Sequence, residues 1–211
     1  MPPRKNTKET LIVAMMRLVA QKGLEAATIS AVAQEAGITQ GAIYRHYRSK
    51  EALQWSAYKQ TIKAMIREKE ALVQAELPIR EKLQQWIRLT YECFDRDPHA
   101  FTYVLLTSHP QLEALDDRGI TTRQGKLLTQ LLRQASQAKE IRDISPELAM
   151  SHVTGLMLNI PRLINENVLK EPAFFYSNDV ADAVWQVLRT RHNKTKETDS
   201  EEVKHVIKTI R

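Results

Sequence analysis

Cysteine occurs once in the 211 residues, at Cys93, which excludes a disulfide framework within the chain and fits a reducing compartment. Glycine and proline are scarce too, at 6 and 8, and β-branched runs alternating with polar residues are few, so neither a loop-rich nor a sheet-built fold is expected. Long apolar stretches are also lacking. The run Leu11 to Ala20 is short, is interrupted by Arg17 and repeats with helical period, so it reads as a helix face rather than a signal peptide or membrane span. The six histidines are scattered, and neither HExxH, paired CxxC nor a glycine-rich phosphate loop occurs. An enzyme is therefore not expected, nor a metal or a cofactor.

What fills the chain instead is apolar residues at a 3.6-residue period, which argues an all-α fold of about nine helices with a sizeable core. Charge is placed unevenly. Residues 1–60 hold nine Lys or Arg against four Glu, while the remainder holds 22 basic and 21 acidic side chains. A basic head on a nearly neutral body suits a protein that meets a polyanion at one end.

The stretch Thr28 to Leu53, TISAVAQEAGITQGAIYRHYRSKEAL, organises that head. Ile29, Val32, Ala33 and Ala36 form an apolar helix face, and Gly37 stands where the chain must turn. Thr39 can cap a second helix, Gln40 to Tyr47, with Ile43 and Tyr47 on its inner side. Ser49 can cap a third, with Glu51 near its positive end. Two short helices about a glycine turn, the second carrying polar residues outward, fit a helix-turn-helix whose second helix enters the DNA major groove.

The agreement extends to Gly23, Thr28-Ile29, Val32-Ala33, Ala36-Gly37-Ile38, Gly41, Tyr44, His46-Tyr47 and Ser49-Lys50-Glu51-x-Leu53. Over about residues 8 to 55 this pattern resembles the N-terminal domain of TetR-family transcriptional regulators, with Tyr47 where Phe is commonest. The resemblance covers roughly the first quarter of the chain, and beyond it only the helical layout looks like the family. It implies that Thr28 meets a phosphate at a helix start and that Tyr44, His46 and Lys50 grip phosphates. Thr39, Gln40 and Arg45 then become base readers, since Gln can bond adenine twice and Arg can bracket guanine. Ala42 is placed to touch a thymine methyl, and Gly41 lets the helix lie close to the DNA backbone. Thr28 and Thr39 can equally be caps alone, and Tyr47 is expected in the core.

Around this motif the periodicity predicts a helix over 7–22 ending at Gly23, a long helix over 50–76, and one over 79–96 that opens after Pro78. Asp97-Pro98 opens a helix reaching Ser108, and a further helix over 112–139 has breaks possible at Gly119 or Gly125. Ser145-Pro146-Glu147 starts a helix to about Asn167, with Pro161 expected to kink or split it. Residues 168–177 read as a loop, and 178–191 as a helix apolar on more than one side. The arm Met1 to Thr7 carries Arg4 and Lys5, which suit a DNA backbone or minor groove or simply solvent. In the polar tail from His192, Val203, Val206, Ile207 and Ile210 have helical spacing behind a Thr198–Glu201 capping box.

These readings divide the chain into a DNA-binding domain, 1–52, a helical effector-binding and dimerisation domain, 53–191, and a tail, 192–211. By the resemblance, the helices over 146–167 and 178–191 form a homodimer surface, with Gly155, Ala149 and Ala181 allowing close approach. It further implies an effector pocket in the body, for which Trp86, Tyr91, Phe101, Tyr103, His109, His152, Met157 and Arg162 are the candidate lining residues. The expected function is a cytoplasmic, bacterial, homodimeric repressor that binds a palindromic operator in double-stranded DNA, has no membrane association and is released by a small-molecule effector. A second reading is a dimeric architectural or adaptor protein that binds DNA without an effector pocket.

Overall fold

The structure, a computed structural model, describes residues 7–113, 115–116 and 119–190. The arm with Arg4 and Lys5 and the expected tail helix lie outside the described residues. The fold is all-α. Helices α1 (Thr7–Lys22), α2 (Ile29–Ala36) and α3 (Gln40–Tyr44) make the head, and α4 (Lys50–Gln74) runs on from it. The body adds α5 (Ile79–Arg96), α6 (Pro98–Phe101), α7 (Pro110–Glu113), α8 (Ile120–Gln137), α9 (Pro146–Asn165) and α10 (Ser177–Leu188). A π-helical turn, Thr102–Leu106, continues α6, and a 3-10 turn, Ala173–Tyr176, leads into α10.

Side-chain caps set most of the starts. Thr28, Thr39, Ser49, Asp97 and Ser145 each accept a hydrogen bond from the backbone N–H three residues on, satisfying donors that a helix start leaves open. Gly37 ends α2 in the left-handed region (φ 68°), and its N–H reaches back to the carbonyls of Ala33 and Gln34.

Some expectations change and others are narrowed; the helix expected over Gln40 to Tyr47 ends at Tyr44. The helix predicted from Asp97 to Ser108 is a single α turn followed by the π turn, and Pro110 begins α7 rather than only ending what precedes it. The helix predicted over 112–139 is broken at Gly119 (φ 62°), which separates α7 from α8; Gly125 stays helical. Pro161 does not split α9. A proline there removes the N–H that would serve the Met157 carbonyl, and the Tyr91 hydroxyl of α5 donates to that carbonyl instead, at 3.0 Å. The loop expected over 168–177 also contains the 3-10 turn, where the Asp95 carboxylate accepts from the N–H groups of Ala173 and Phe174 at 2.8 and 2.9 Å.

One apolar core runs from the head into the body. Helix α4 is its spine, packed against α1, α5, α7 and α8, while α10 closes over α5 and α9. Helix α1 also rests on α6 and the π turn, so the head is seated on the body by more than α4 alone. Burying Trp86, Tyr91, Phe101 and Ile87 completely contributes roughly 1.5–3 kcal/mol per large side chain against the entropy of ordering the chain. The surface ion pairs Arg17–Glu35, Arg80–Asp182 and Arg123–Glu70 join neighbouring helices but lie in solvent, where such pairs contribute about 0–1 kcal/mol.

Candidate functional site

Helix α3 is only five residues long, and its direction is fixed by what it buries. Ile43 is fully buried and Tyr47 nearly so, which turns Thr39, Gln40, Gly41, Tyr44, Arg45 and His46 to solvent, with Ala42 half-buried between them. Tyr44 is 54% exposed although aromatic, and a ring left in water has no packing reason to be there. Neither Arg45 nor the neighbouring Arg48 has an ion-pair or hydrogen-bond partner among the described residues. Arg48 was not among the sequence candidates, although its place between His46 and Lys50 signals it.

Thr28 and Thr39 act as caps: their Oγ1 atoms accept from Ala31 and Ala42 at 3.1 and 3.3 Å. A capping hydroxyl keeps its own proton, so each can still donate outward from an exposed helix start. The Nζ of Lys50 donates to the Leu24 carbonyl at 3.3 Å, tying the first turn of α4 to the α1–α2 connection and leaving two of its three protons. Beside it, hydrogen bonds from backbone N–H and from Ser49, together with the Lys50 charge, hold the Glu51 carboxyl below the usual carboxylate range. An added Cβ at Gly41 would meet no atom of the chain within 4 Å, and Gly41 does not have positive φ. Since glycine costs a helix about 1 kcal/mol relative to alanine, nothing inside this fold explains it.

The body candidates separate into two groups. Trp86, Tyr91, Phe101, Tyr103, His109 and Met157 are all buried. Two of their hydroxyls serve backbone carbonyls, Tyr91 at Met157 and Tyr103 at Gln54, each at 3.0 Å, and burial pushes both phenols well above the usual tyrosine range. His109 Nε2 donates to the Tyr103 carbonyl, which leaves Nδ1 buried without a partner; burial lowers the basicity of that ring. His152 and Arg162 are not brought to this interior. His152 is half-buried and bonded to the Leu148 carbonyl, while Arg162 is exposed, bonded to Glu166, and lines a groove on α9 with Ser151, Gly155, Leu158 and Asn159.

The sequence reading passed over two polar residues inside the body. Gln54 and Lys69 are each 1% exposed. Lys69 stands three and four residues from Leu72 and Met65, so helical spacing alone places it on the inner stripe of α4. Its ammonium lies 4.7 Å from the Trp86 ring centroid and has no hydrogen bond or carboxylate pair among the described residues. Desolvation lowers its pKa to about 8, against weaker opposing effects of Cys93 and Glu68. The Trp86 Nε1–H is buried and unpartnered as well. Among the described residues no group of three His, Cys, Asp or Glu is placed to hold a metal ion, and no helix is long and apolar enough to cross a membrane.

Comparison with known proteins agrees with this architecture. Residues 11–54 match the family model of bacterial regulatory proteins, tetR family. The HTH-type transcriptional regulator YerO of Bacillus subtilis (strain 168), itself described as uncharacterized, is 40% identical over 105 residues, 48% of this chain and 36% of that protein. The chain thus spans little more than a third of that relative. Among solved structures, the fatty acid degradation regulator FadR of Bacillus halodurans superposes with a TM-score of 0.71 at 19% identity, over 89% of this chain and 99% of that one. The transcriptional regulator FadR of Bacillus subtilis, solved in complex with stearoyl-CoA, gives 0.69 at 22% identity, over 83% and 96%. Over residues 11–54 the head thus matches the tetR family of bacterial regulatory proteins, and the all-α fold is shared along most of the chain.

Proposed function

We propose that this chain is a sequence-specific DNA-binding transcriptional regulator, a homodimeric repressor of the bacterial cytoplasm released by a small-molecule effector. The observation that carries the reading is the solvent face of α3. It is polar, holds unpaired Arg45, and contains a glycine that the fold itself does not need. Entering a major groove, Gln40 and Arg45 would address base edges, while Tyr44, His46, Lys50 and the Thr28 helix start hold phosphates. One such helix touches few base pairs, so two copies would read half-sites about 34–36 Å apart or a multiple of that.

Dimerisation is assigned to α9 and α10. Leu148 and Leu156 are exposed on α9, and an added Cβ at Gly155 would meet nothing within 4 Å, which leaves room for a second helix to approach. Effector binding would then favour a body conformation in which α4 draws the two heads out of register with successive grooves. That the Bacillus subtilis structural relative was solved with stearoyl-CoA is consistent with a body of this fold that admits small molecules.

The close packing of Phe101, Tyr91 and Met157 favours the second reading, an architectural or adaptor protein without a pocket. One experiment separates the two. The purified protein is incubated with sheared genomic DNA from its source, and the retained fragments are sequenced. A single enriched imperfect palindrome is expected, and genes beside it nominate the effector's chemistry. Broad, salt-sensitive retention without a shared motif would instead establish the architectural role.

A further inference from the structure

Two lysines are buried in the body, and they differ in one respect. Lys82 Nζ donates to the Val73 carbonyl at 3.0 Å, so it closes the end of α4 and its burial has a structural explanation. Lys69 has no such bond. An ammonium taken from water without a hydrogen-bonded counter-charge is expensive, and a facing Trp86 ring offsets only part of that. A methionine in its place would fill the same volume without the cost. The Trp86 Nε1–H next to it is a second buried donor without an acceptor. Donors of one charge and one neutral N–H, with nothing to receive them, describe half of a binding site.

A surface groove lies one turn away, with Lys69 and Trp86 buried near it rather than lining it. Helical side chains lean toward the N-terminus of their helix, so Lys69 points back along α4 toward the turn of Met65. Met65 lines a surface groove of ≈ 360 Å³ between α1, α4 and α5, with Ile12, Met16 and Cys93 along it and the charged Glu9, Arg96 and Asp97 in its lining. Cys93 lines the groove, and although burial raises its pKa, the opposing effect of the Lys69 charge places the lysine in its neighbourhood. Methionine side chains are adaptable walls for an apolar ligand.

We propose that Lys69 and Trp86 form the anion subsite for the effector, and that the effector class is an apolar carboxylic acid whose hydrocarbon part lies against Met65, Met16 and Ile12. A carboxylate matches the donors present: one oxygen accepts from the ammonium and the other from the indole N–H. Its single negative charge neutralises one lysine, whereas a phosphate dianion would bring excess charge and oxygens into the apolar surroundings. The inference rests on the reading of the body as an effector domain. It adds that the effector enters beside the contact of α1 with α4 and α6, where it would bear on the seat of the head.

The test is calorimetric titration of the full chain with decanoate and, separately, with 1-decanol, which has the same hydrocarbon body without the charge. Decanoate is expected to bind the wild type at least tenfold more tightly than the alcohol. Lys69→Met should weaken decanoate about tenfold to a hundredfold and leave the alcohol within about twofold, as expected for one charge-assisted bond. Trp86→Phe keeps the ring and removes the N–H, and should weaken decanoate several-fold; it carries the test if Lys69→Met fails to fold by circular dichroism. Absence of decanoate binding, equal affinity for the alcohol, or unchanged affinity in the folded variant would overturn the subsite. A protein that selects a palindrome but ignores decanoate loses this inference and keeps its regulatory reading. One that binds decanoate through Lys69 yet retains DNA without preference does the reverse.

Discussion

On α3, Gln40, Tyr44 and Arg45 stand in solvent above a buried Ile43 and Tyr47, while on α4 a lysine stands inside, against Trp86, with water excluded. Both arrangements leave polar groups that the chain itself does not satisfy, but the consequences for stability are opposite. In the head, water satisfies the donors until a ligand replaces it, so the recognition face costs the fold little. In the body the fold carries the unsatisfied charge at neutral pH, and a bound anion or loss of the proton relieves it. Gly41 and Lys69 are alike in this respect: each is a poor choice for the chain alone and a reasonable one for the chain with something bound.

The contrast is broken most strongly by adjacent substitutions on α3. Ile43→Ala should cost about 2–5 kcal/mol, read as a lower denaturation midpoint, because it empties a fully buried site in the small head. Tyr44→Ala, one residue on, should leave that midpoint within about 0.5 kcal/mol and weaken retention on the selected DNA. If Tyr44→Ala unfolds the head, the recognition face is structural after all.

Lys69→Met sharpens the same contrast from the body side. Its folded pKa of about 8 lies below the ordinary 10.5, so between those values the unfolded chain holds more protons and wild-type stability gains as pH rises. The penalty is complete below pH 8 and fades toward pH 10.5. The variant should therefore be more stable than wild type by about 3 kcal/mol at pH 7, with the difference shrinking as the pH approaches 10. Cys93, and Tyr58, which burial raises to about 12, titrate in the opposite sense. Comparing the two proteins at each pH cancels Tyr58, while Cys93, which loses the Lys69 charge in the variant, is removed by making both proteins in a Cys93→Ala background. A difference that stays constant from pH 7 to 10 would show that burial does not lower the Lys69 pKa.

At the positions proposed to read bases the expected loss is about 1–3 kcal/mol, and confined to one position of the site. Gln40→Ala should relax the preference there, as seen by binding to single-base variants of the enriched palindrome; a uniform loss across all variants refutes a reading role. Smaller again is the repair at Pro161. Tyr91→Phe removes the side-chain donor at the Met157 carbonyl and should cost about 1 kcal/mol or somewhat more. Pro161→Ala in that background restores an N–H to α9 and should recover most of the loss, measured as a double-mutant cycle. The gentlest change is Lys50→Ala, which should weaken all DNA sequences alike and reduce the salt dependence by about one phosphate contact.

The head was legible because its signals are local. Thr28, Thr39 and Ser49 cap from three residues away, Gly37 turns in place, and Ile43 and Tyr47 follow from helical period. The body was legible only as a set of helices. Which aromatic residues would be core and which would line a pocket depended on partners distant in sequence: Tyr91 serves Met157, Tyr103 serves Gln54, and His152 is only half-buried. Lys69 shows the limit most clearly, since its position on the inner stripe of α4 could be read from spacing while its lack of a partner could not.

Period, caps and glycines thus determined an all-α chain with a helix-turn-helix head, because a helix and its ends are decided by residues within about four positions of one another. The tertiary structure decided where α6 gives way to a π turn, how α9 passes Pro161 unbroken, and which buried polar groups go unanswered. Those outcomes depend on which helix lies across the way, and desolvation acts on a side chain only once that neighbour is in place.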